Sequence, residues 1–249
     1  MIPKIIHLCW LSGDPYPRKI QDCLDSWKKH LPSYEIILWD TKRFNIHEVP
    51  WVEQAFNTKK YAFAADYIRL YALYHHGGIY LDSDVEILKS LDNFLELPYF
   101  VGAETSGTIE AILGAEKGCD WIKCCLDYYE GRNFIREDGS YDIRMLPEIL
   151  NETILRLKPV INMPSGSNID DLKKKDLGEA VYVLPKEYFS PKVFDSREVF
   201  LTPETHAIHH YQNSWFSHKA FAYYRTRTLF IKIFGYKAVR SLEKMLLKR

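Results

Sequence analysis

The chain has 249 residues, a length that suits one large domain or one domain with a tail. Hydrophobic residues make up 47% and charged residues 27%, which excludes a disordered chain. The 33 basic and 33 acidic residues leave no net charge, which argues against a protein that mainly coats nucleic acid. The five cysteines form no C-x-x-C pair, so we expect no disulfide framework or zinc site and a reducing compartment.

The elements predicted from apolar periodicity and turn residues alternate between strand and helix. We predict strands at residues 2–9, 34–39, 79–81, 98–103, 181–184 and 208–210, an extended segment at 85–88, and helices at 17–30, 58–76, 121–129 and 143–157. Residues 41–57 are too mixed to assign. This alternation predicts an α/β fold with a largely parallel sheet flanked by helices.

The neutral total hides a basic C-terminal tail. Residues 219–249 hold nine basic residues and one acid, a net charge of +8, so residues 1–218 carry −8. We therefore divide the chain into a main domain, 1–217, and an amphipathic helical tail, 218–249. Such a tail suits an anionic membrane surface, or it packs on the domain as an ordinary basic helix. The sequence shows no signal pattern and no run of about 18 apolar residues, so we expect a cytoplasmic protein, peripheral to the inner face of the membrane.

Two acids follow the predicted strand at 79–81, in the motif Asp82-Ser83-Asp84. Ligands bind at the carboxyl ends of strands in α/β sheets. Two carboxylates at this spacing can converge on one hard cation and leave positions open for phosphate oxygens. The alternative is a surface turn with two solvated acids.

The helix before this strand carries a charged pair, Asp66 and Arg69, three residues apart and so on one face. The neighbouring residues are mostly apolar, which makes a charged pair unusual there. Arg69 could bind phosphate or hydroxyl oxygens through its planar fork. A structural ion pair explains the spacing equally well.

Aromatic and polar groups collect at two further places. Trp10 follows the first predicted strand, where its ring could stack on a flat base or belong to the core. Residues 209–215 read HHYQNSW and concentrate possible metal ligands and phosphate donors. Neighbouring histidines on a strand point to opposite faces, so we expect only one of them to reach the site.

These segments resemble glycosyltransferase family 32, the D-x-D sugar transferases that include bacterial capsule and lipopolysaccharide enzymes and the yeast initiating mannosyltransferases. A more distant resemblance is to the large clostridial glucosylating toxins. The stretches that carry it are IPKIIHLCWLSG, SWKKHLPSYEIILWD, KKYAFAADYIRLYALYHHGGIYLDSDVEIL and AIHHYQNSW. Residues 1–105 match well, 205–215 match by motif, and 106–204 match loosely.

The resemblance implies a GT-A fold and a divalent cation, Mn²⁺ or Mg²⁺, held by the D-x-D. Asp84 matches the direct metal ligand, and Asp82 the acid that reaches the ribose and donor sugar, partly through the metal. Asp66 and Arg69 match donor-sugar contacts. With Asp82 and Asp84 they form the expected catalytic set. His210, which precedes an aromatic residue, matches a third metal ligand.

Further positions are assigned by the same resemblance. Asn213 or Ser214 could replace His210, because the toxins use another residue type there. Trp215 matches the indole that donates to the β-phosphate, and Trp10 matches the ring that stacks on the base. The complete set expected to bind the nucleotide sugar is His7, Leu8, Trp10, Asp66, Arg69, Tyr80, Asp82, Ser83, Ser214 and Trp215.

The implied reaction is a retaining transfer of a hexose from a nucleotide sugar, with a UDP-sugar favoured over GDP-mannose by family habit. The expected acceptor is a glycan or a lipid-linked oligosaccharide in surface polysaccharide synthesis, and the alternative is a protein, as with the toxins. Retention needs a carboxylate nucleophile or same-face attack. The sequence offers no convincing nucleophile, since Glu104 is a candidate only because it follows a predicted strand. We therefore favour same-face attack.

Other classes remain to be distinguished. A phosphatase of the haloacid-dehalogenase type also places D-x-D after a strand, but here Glu86 stands where that family has Thr or Val. A nucleotidyltransferase would need a glycine-rich loop after the first strand, and Gly13 stands alone. A non-catalytic sugar-binding scaffold is the third alternative. The presence of Asp82, Asp84, Asp66 and Arg69 argues against it, because a scaffold would not need these charged groups. Release of UDP from a sugar nucleotide, as opposed to phosphate from a monoester, would separate transferase from phosphatase.

Overall fold

The computed structural model describes residues 1–104, 109–193 and 197–212, and positions 226, 227, 229–231, 233 and 235. The predicted division at residue 217 and nearly all of the basic tail lie outside these residues. The described strands are β1 Ile5–Cys9, β2 Glu35–Trp39, β3 Gly78–Leu81, β4 Val85–Ile87, β5 Tyr99–Ala103, β6 Ile109–Ala115, β7 Val160–Asn162, β8 Val181–Val183 and β9 Ala207–His209. The described α-helices are α1 Arg18–His30, α2 Pro50–Asn57, α3 Tyr61–His76, α4 Asp120–Asp127, α5 Leu146–Leu157 and α6 Ile169–Lys173.

The central sheet has five strands in the order β2-β1-β3-β6-β5. β1 pairs in parallel with β2 and β3, and β6 pairs antiparallel with β3 and β5. Four of these five strands therefore run in one direction. The α/β class with a mostly parallel central sheet flanked by helices, as the sequence and its GT-A resemblance predict, is confirmed.

Apolar side chains bury both faces of this sheet. On one face the core includes residues from α2, α3, α4 and α5, among them Trp51, Ile68 and Trp121. On the other face α1 contributes Trp27, which packs in a cluster with Phe94 and other buried residues. The strands are therefore covered on both sides, as parallel strands require. Within the described residues, no helix combines the length and apolar character needed to cross a membrane.

A tight glycine turn joins α3 to β3 and brings the helix back along the sheet. Gly77 and Gly78 have φ of +66° and +108°, conformations that side-chain-bearing residues rarely adopt. A Cβ on Gly78 would also lie 2.7 Å from the carbonyl oxygen of Ile5. Because the chain reverses without a longer loop, the middle of α3 lies beside the carboxyl end of β3.

A second, two-stranded sheet forms beyond that end. β4 and β9 pair antiparallel, with Val85 opposite His209. We call this pair the β4–β9 ribbon. Helix α1 is tied to it, since the Trp27 indole donates to the carbonyl oxygen of Val85 at 2.7 Å and Ser26 Oγ accepts from the Ile87 amide at 2.9 Å. The ribbon therefore brings the 205–212 segment next to the D-x-D turn.

The structure adds elements that the pattern did not predict. Residues 41–57 contain the short 3-10 helix Ile46–Glu48 and α2, which begins at a proline. β6 was missed because its sequence contains alanine and glycine, which have low strand propensity. Gly114 is needed there, since a Cβ would come within 2.0 Å of the Phe100 ring.

Candidate active site

The D-x-D forms the link between the central sheet and the β4–β9 ribbon. β3 ends at Leu81 and β4 begins at Val85, so the motif occupies the turn between them. The Asp82 amide donates to the carbonyl oxygen of Ala111 at 2.9 Å, and the Val85 amide donates to the Asp82 carbonyl oxygen at 3.0 Å. Ala111 has φ of +52°, a strained conformation of the kind that collects at functional sites.

Two carboxylates and one imidazole converge at this turn. One ligand atom each from Asp82, Asp84 and His209 lies within 4.8 Å of the others. His209 Nε2 lies 3.4 Å from Asp84 Oδ1, and the Gln212 amide donates to Asp84 Oδ2 at 2.7 Å. We call Asp82, Asp84 and His209 the acid–histidine cluster.

Glu104 holds the imidazole from its other side. It follows β5 and is buried, and its Oε1 lies 2.7 Å from His209 Nδ1. The carboxylate can only accept, so Nδ1–H donates and Nε2 is left facing Asp84. A carboxylate behind a ligating histidine is the usual way in which proteins orient a metal ligand. Glu104 is therefore placed as a support for His209, and not as a free nucleophile.

The charges in the cluster shift its pKa values in different directions. Burial opposes ionisation of Asp84, but charged His209 and the Gln212 amide lower the Asp84 pKa to about 2. Burial raises the pKa of Asp82, and the Arg69 charge only partly offsets this effect. Burial disfavours a charged His209, yet Asp84 and Glu104 raise the His209 pKa well above its ordinary value. The cluster thus holds a proton at the position where a cation would bind.

A buried arginine joins the D-x-D to helix α3. Arg69 Nη2 lies 3.0 Å from Asp66 Oδ1 and 3.3 Å from Asp82 Oδ1. The guanidinium also lies over the Tyr80 ring, 4.5 Å from its centroid, and the Tyr80 hydroxyl donates to Asp82 Oδ1 at 2.9 Å. Burial raises the pKa of Asp66 to about 6, against the effect of Arg69. The structure therefore brings together four of the predicted site residues: Asp66, Arg69, Tyr80 and Asp82.

Two aromatic rings lie at the end of β1, on the same edge of the sheet. Trp10 is half-buried, and its ring centroid is 4.9 Å from that of Tyr16. Its indole N–H donates to the Asp14 carbonyl oxygen at 2.8 Å. Trp10 keeps an accessible surface beside a second ring, as a base-binding residue requires. The sequence pattern did not single out Tyr16.

The side chains of His7 and Leu8 are not available to a ligand, which corrects their expected role. Both are buried in the core. His7 Nδ1 accepts from the Trp39 indole at 3.0 Å, so its Nε2 donates to the Gly77 carbonyl oxygen at 2.7 Å. Burial lowers the His7 pKa to about 4, which keeps it neutral. His7 is a structural residue that supports the glycine turn.

The structure places His209, and not the expected third ligand His210, beside Asp82 and Asp84. His210 follows the last residue of β9 and points away from the acid–histidine cluster, with Nε2 2.7 Å from Glu86 Oε2. The structure thus brings one histidine of the pair to the D-x-D, as expected, and that histidine is His209. Ser83 is half-buried in the D-x-D turn. Asn213, Ser214 and Trp215 lie outside the described residues.

The acid–histidine cluster fits a divalent cation. Two carboxylates and one imidazole are ligands that Mn²⁺ accepts, and Mg²⁺ prefers oxygen ligands alone. A bound cation would be held by Asp82, Asp84 and the Nε2 atom of His209, which would have to lose its proton. Glu104 would still accept from Nδ1–H and keep the ring in place.

Comparison with known proteins identifies the same motif. Residues 17–101 match the family model described as "Glycosyltransferase sugar-binding region containing DXD motif". This segment includes Asp66, Arg69, Tyr80, Asp82 and Asp84. The resemblance to D-x-D glycosyltransferases is thereby confirmed at the level of the family.

Two curated yeast proteins to which the chain is similar are named for mannosyl transfer. The chain is 34% identical over 122 residues to inositol phosphoceramide mannosyltransferase 3 of Schizosaccharomyces pombe, which covers 47% of this chain and 34% of that protein. It is 36% identical over 108 residues to mannosyl phosphorylinositol ceramide synthase SUR1 of Saccharomyces cerevisiae, covering 41% of this chain and 27% of that protein. The alignments thus span about a third of the length of these curated relatives. Among solved structures, the PaToxG glycosyltransferase superposes with a TM-score of 0.47 at 19% identity, over 63% of this chain and 69% of that one.

Proposed function

We propose that the protein is a metal-dependent glycosyltransferase that moves a hexose from a nucleotide sugar to an acceptor. The observation that carries the proposal is the acid–histidine cluster, which lies beside the buried Asp66–Arg69 pair. The two acids of the cluster and the Asp66–Arg69 pair fall within residues 17–101, the segment that matches the family model. The arrangement supports metal ligation on one side of Asp82 and recognition of sugar hydroxyls on the other. Its chemistry needs a cation, and Mn²⁺ fits the imidazole ligand better than Mg²⁺.

Each group has a part in the proposed reaction. A divalent cation supplies positive charge to the diphosphate that leaves, and such fixed charge is commonly the largest single contribution to catalysis. Arg69 holds Asp66 and Asp82 in place, so that their oxygens can accept from sugar hydroxyls. Trp10 and Tyr16 offer a surface for the base.

We propose retention of anomeric configuration by same-face attack. The structure supports this over a carboxylate nucleophile at Glu104, because that side chain is buried and hydrogen-bonded to His209. Asp66 and Asp82 are likewise committed to Arg69. The leaving phosphate would then accept the proton of the acceptor hydroxyl.

For the donor and the acceptor we propose a class of compound. A UDP-hexose used in surface polysaccharide synthesis follows from the family resemblance. A second candidate, transfer of mannose to a phosphoinositol-containing lipid, is favoured by the names of the curated relatives. Either acceptor would suit a cytoplasmic enzyme whose basic tail contacts an anionic membrane. A protein acceptor remains the alternative.

A panel of UDP- and GDP-sugars, assayed with and without Mn²⁺, tests the proposal. We expect one donor to release its nucleoside diphosphate only with Mn²⁺, and Asp84→Asn to lower that rate by roughly 10²–10³-fold, as loss of a charge-stabilising group does. Asp25→Asn, on exposed α1 surface, is the matched control. Activity that persists in Asp84→Asn would remove the metal role, and phosphate release from simple monoesters would favour a phosphatase.

A further inference from the structure

Three consecutive apolar side chains are exposed in the segment that precedes β9. Phe200 and Leu201 are each 60% exposed, and Val199 is 40% exposed. Single exposed apolar residues are common on protein surfaces, but a run of three is unusual unless it has a function. We call Val199, Phe200 and Leu201 the apolar loop.

Hydrogen bonds fix the backbone on both sides of these side chains. The Phe200 amide donates to the Pro191 carbonyl oxygen at 3.2 Å. Just after the loop, the Thr202 amide donates to Thr205 Oγ1 at 2.9 Å. The apolar side chains are therefore presented to solvent by backbone that is held against the rest of the domain.

The apolar loop begins close to the candidate active site. Val199 forms an antiparallel β-bridge with Lys192, and the Lys192 ammonium donates to the His210 carbonyl oxygen at 3.1 Å. His210 directly follows His209 of the acid–histidine cluster. One lysine side chain thus separates the start of the loop from the segment that carries the cluster histidine.

The strongly basic segment of the chain is attached at the same place. Residues 219–249 carry a net charge of +8. The Gln212 amide donates to Asp84 Oδ2 at 2.7 Å, which ties residue 212 to the D-x-D turn. The seven residues from 212 to 219 span at most about 25 Å when fully extended, so the basic segment begins within that distance of the turn. This charge is complementary to an anionic surface.

The described positions of the basic segment also expose apolar side chains. Leu229 and Ile233 are at helical positions four residues apart, and so on one face. They are 57% and 62% exposed, whereas Ile231 is 6% exposed. A basic helix that packed on the domain through its apolar side would bury Leu229 and Ile233 as well. Of the two alternatives for the tail, these positions favour the membrane surface.

The size and charge of the apolar loop identify its occupant. A stable contact with a second copy needs about 800 Å² on each partner, far more than three side chains expose. Lipid insertion needs no matching shape. The loop is uncharged and is flanked in sequence by Glu198 and Glu204, so attraction to anionic lipid has to come from residues 219–249. Stable membrane attachment requires two signals, such as an apolar group and a polybasic segment, and this chain has both.

We propose that the protein docks on an anionic lipid bilayer, with Phe200 and Leu201 inserted among the headgroups and residues 219–249 held at the surface. Docking itself is independent of the proposed function. Its consequence rests on that function, because a docked transferase has its acid–histidine cluster close to acceptors that are carried by lipid.

The experiment is sedimentation of the full chain with vesicles of phosphatidylcholine and phosphatidylglycerol in equal parts, and with phosphatidylcholine alone. We expect binding to the anionic vesicles, weakened by high salt. Phe200→Ser combined with Leu201→Ser should lower the partition coefficient by roughly tenfold or more, because two large apolar side chains no longer enter the bilayer. Leu155→Ser with Leu157→Ser is the matched control, since these side chains of α5 are 60% and 45% exposed. The control should bind as the parent does.

A gain-of-signal variant keeps the test decisive if circular dichroism shows the double serine variant to be misfolded. Phe200→Trp should bind at least as well as the parent, because an indole is favoured at the membrane interface. Brominated phosphatidylcholine should quench its fluorescence more than that of the parent chain. No added quenching would exclude insertion at residue 200.

Three further outcomes would overturn the docking proposal. They are equal partitioning of the parent and the double serine variant, no preference for anionic vesicles, and self-association that the double serine variant loses while the parent binds no vesicles. The last result would assign the loop to a second copy. Vesicle binding by a chain that turns over no sugar nucleotide would keep the docking surface and refute the transferase, whereas turnover without vesicle binding would do the reverse.

Discussion

Two adjacent histidines, His209 and His210, meet different charged groups on the two sides of the β4–β9 ribbon. His209 faces Asp84 and Glu104, and these carboxylates raise its pKa well above the ordinary value despite burial. His210 faces Glu86 together with Lys19 and Lys192, and burial with the two cations lowers its pKa. His209 is therefore surrounded by carboxylates, and His210 by one carboxylate and two cations.

The difference comes from strand alternation and from what each face meets. Successive side chains of a strand point to opposite faces, so the sequence pair HH had to divide. His209 shares the face of buried Ala207 and meets the D-x-D turn, and His210 meets helix α1 and the segment around Lys192.

The strongest test of this comparison exchanges the two histidines for alanine one at a time. We expect His209→Ala to weaken Mn²⁺ binding by at least the roughly 10–100-fold that loss of a supporting partner alone causes. His210→Ala should leave Mn²⁺ affinity unchanged. Mn²⁺ binding is measured by calorimetry or by electron paramagnetic resonance of the free ion.

The two variants control for each other, because they remove an imidazole from adjacent residues. His209→Ala also leaves Asp84 and Glu104 without their charged partner, so thermal unfolding is recorded for each protein. His209→Gln supplies a variant with less loss of packing. Equal Mn²⁺ affinity in the His209 and His210 variants would show that the acid–histidine cluster is a structural ion network.

A smaller effect is expected at Glu104, which positions His209. Glu104→Ala should weaken Mn²⁺ by roughly tenfold, the low end of the range for groups behind a metal ligand. Glu104→Gln should recover part of the affinity, because its amide oxygen can still accept from His209 Nδ1–H. A residue with only a packing role would give the two variants equal Mn²⁺ affinity after correction for stability.

Most of the central fold could be predicted from the sequence, because its signals are local. The apolar runs of β1, β2 and β3 and the helix ended by Gly77 and Gly78 follow from short-range rules. β6 could not be predicted, because Gly114 in it is required by the Phe100 ring of the partner strand β5. That requirement exists only after the strands are paired.

The acids of the D-x-D and the Asp66–Arg69 pair were predictable from the sequence. The position of His209 beside them was not. Asp82, Asp84, Asp66 and Arg69 lie on consecutive elements, α3 and the turn after β3, so a short stretch of sequence places them together. The choice of His209 over His210 depends on how β9 pairs with β4, and the two strands are separated by more than 100 residues. His7 was misassigned because nothing in its sequence shows that Trp39 and Gly77 satisfy both ring nitrogens.

The smallest predicted effect concerns Trp10, which lies at the edge of β1, outside both faces of the ribbon. Trp10→Ala removes a ring whose stacking contributes about 0.5–1.5 kcal/mol beyond its buried area, so the donor KM should rise by roughly two- to tenfold with kcat little changed. Mn²⁺ affinity should stay the same, because Trp10 contacts none of the cluster ligands in the described contacts. Tyr16→Ala is the companion variant, since its ring packs on Trp10. A drop in kcat with an unchanged KM would mean that Trp10 and Tyr16 support the fold around the acid–histidine cluster, and that the base binds elsewhere.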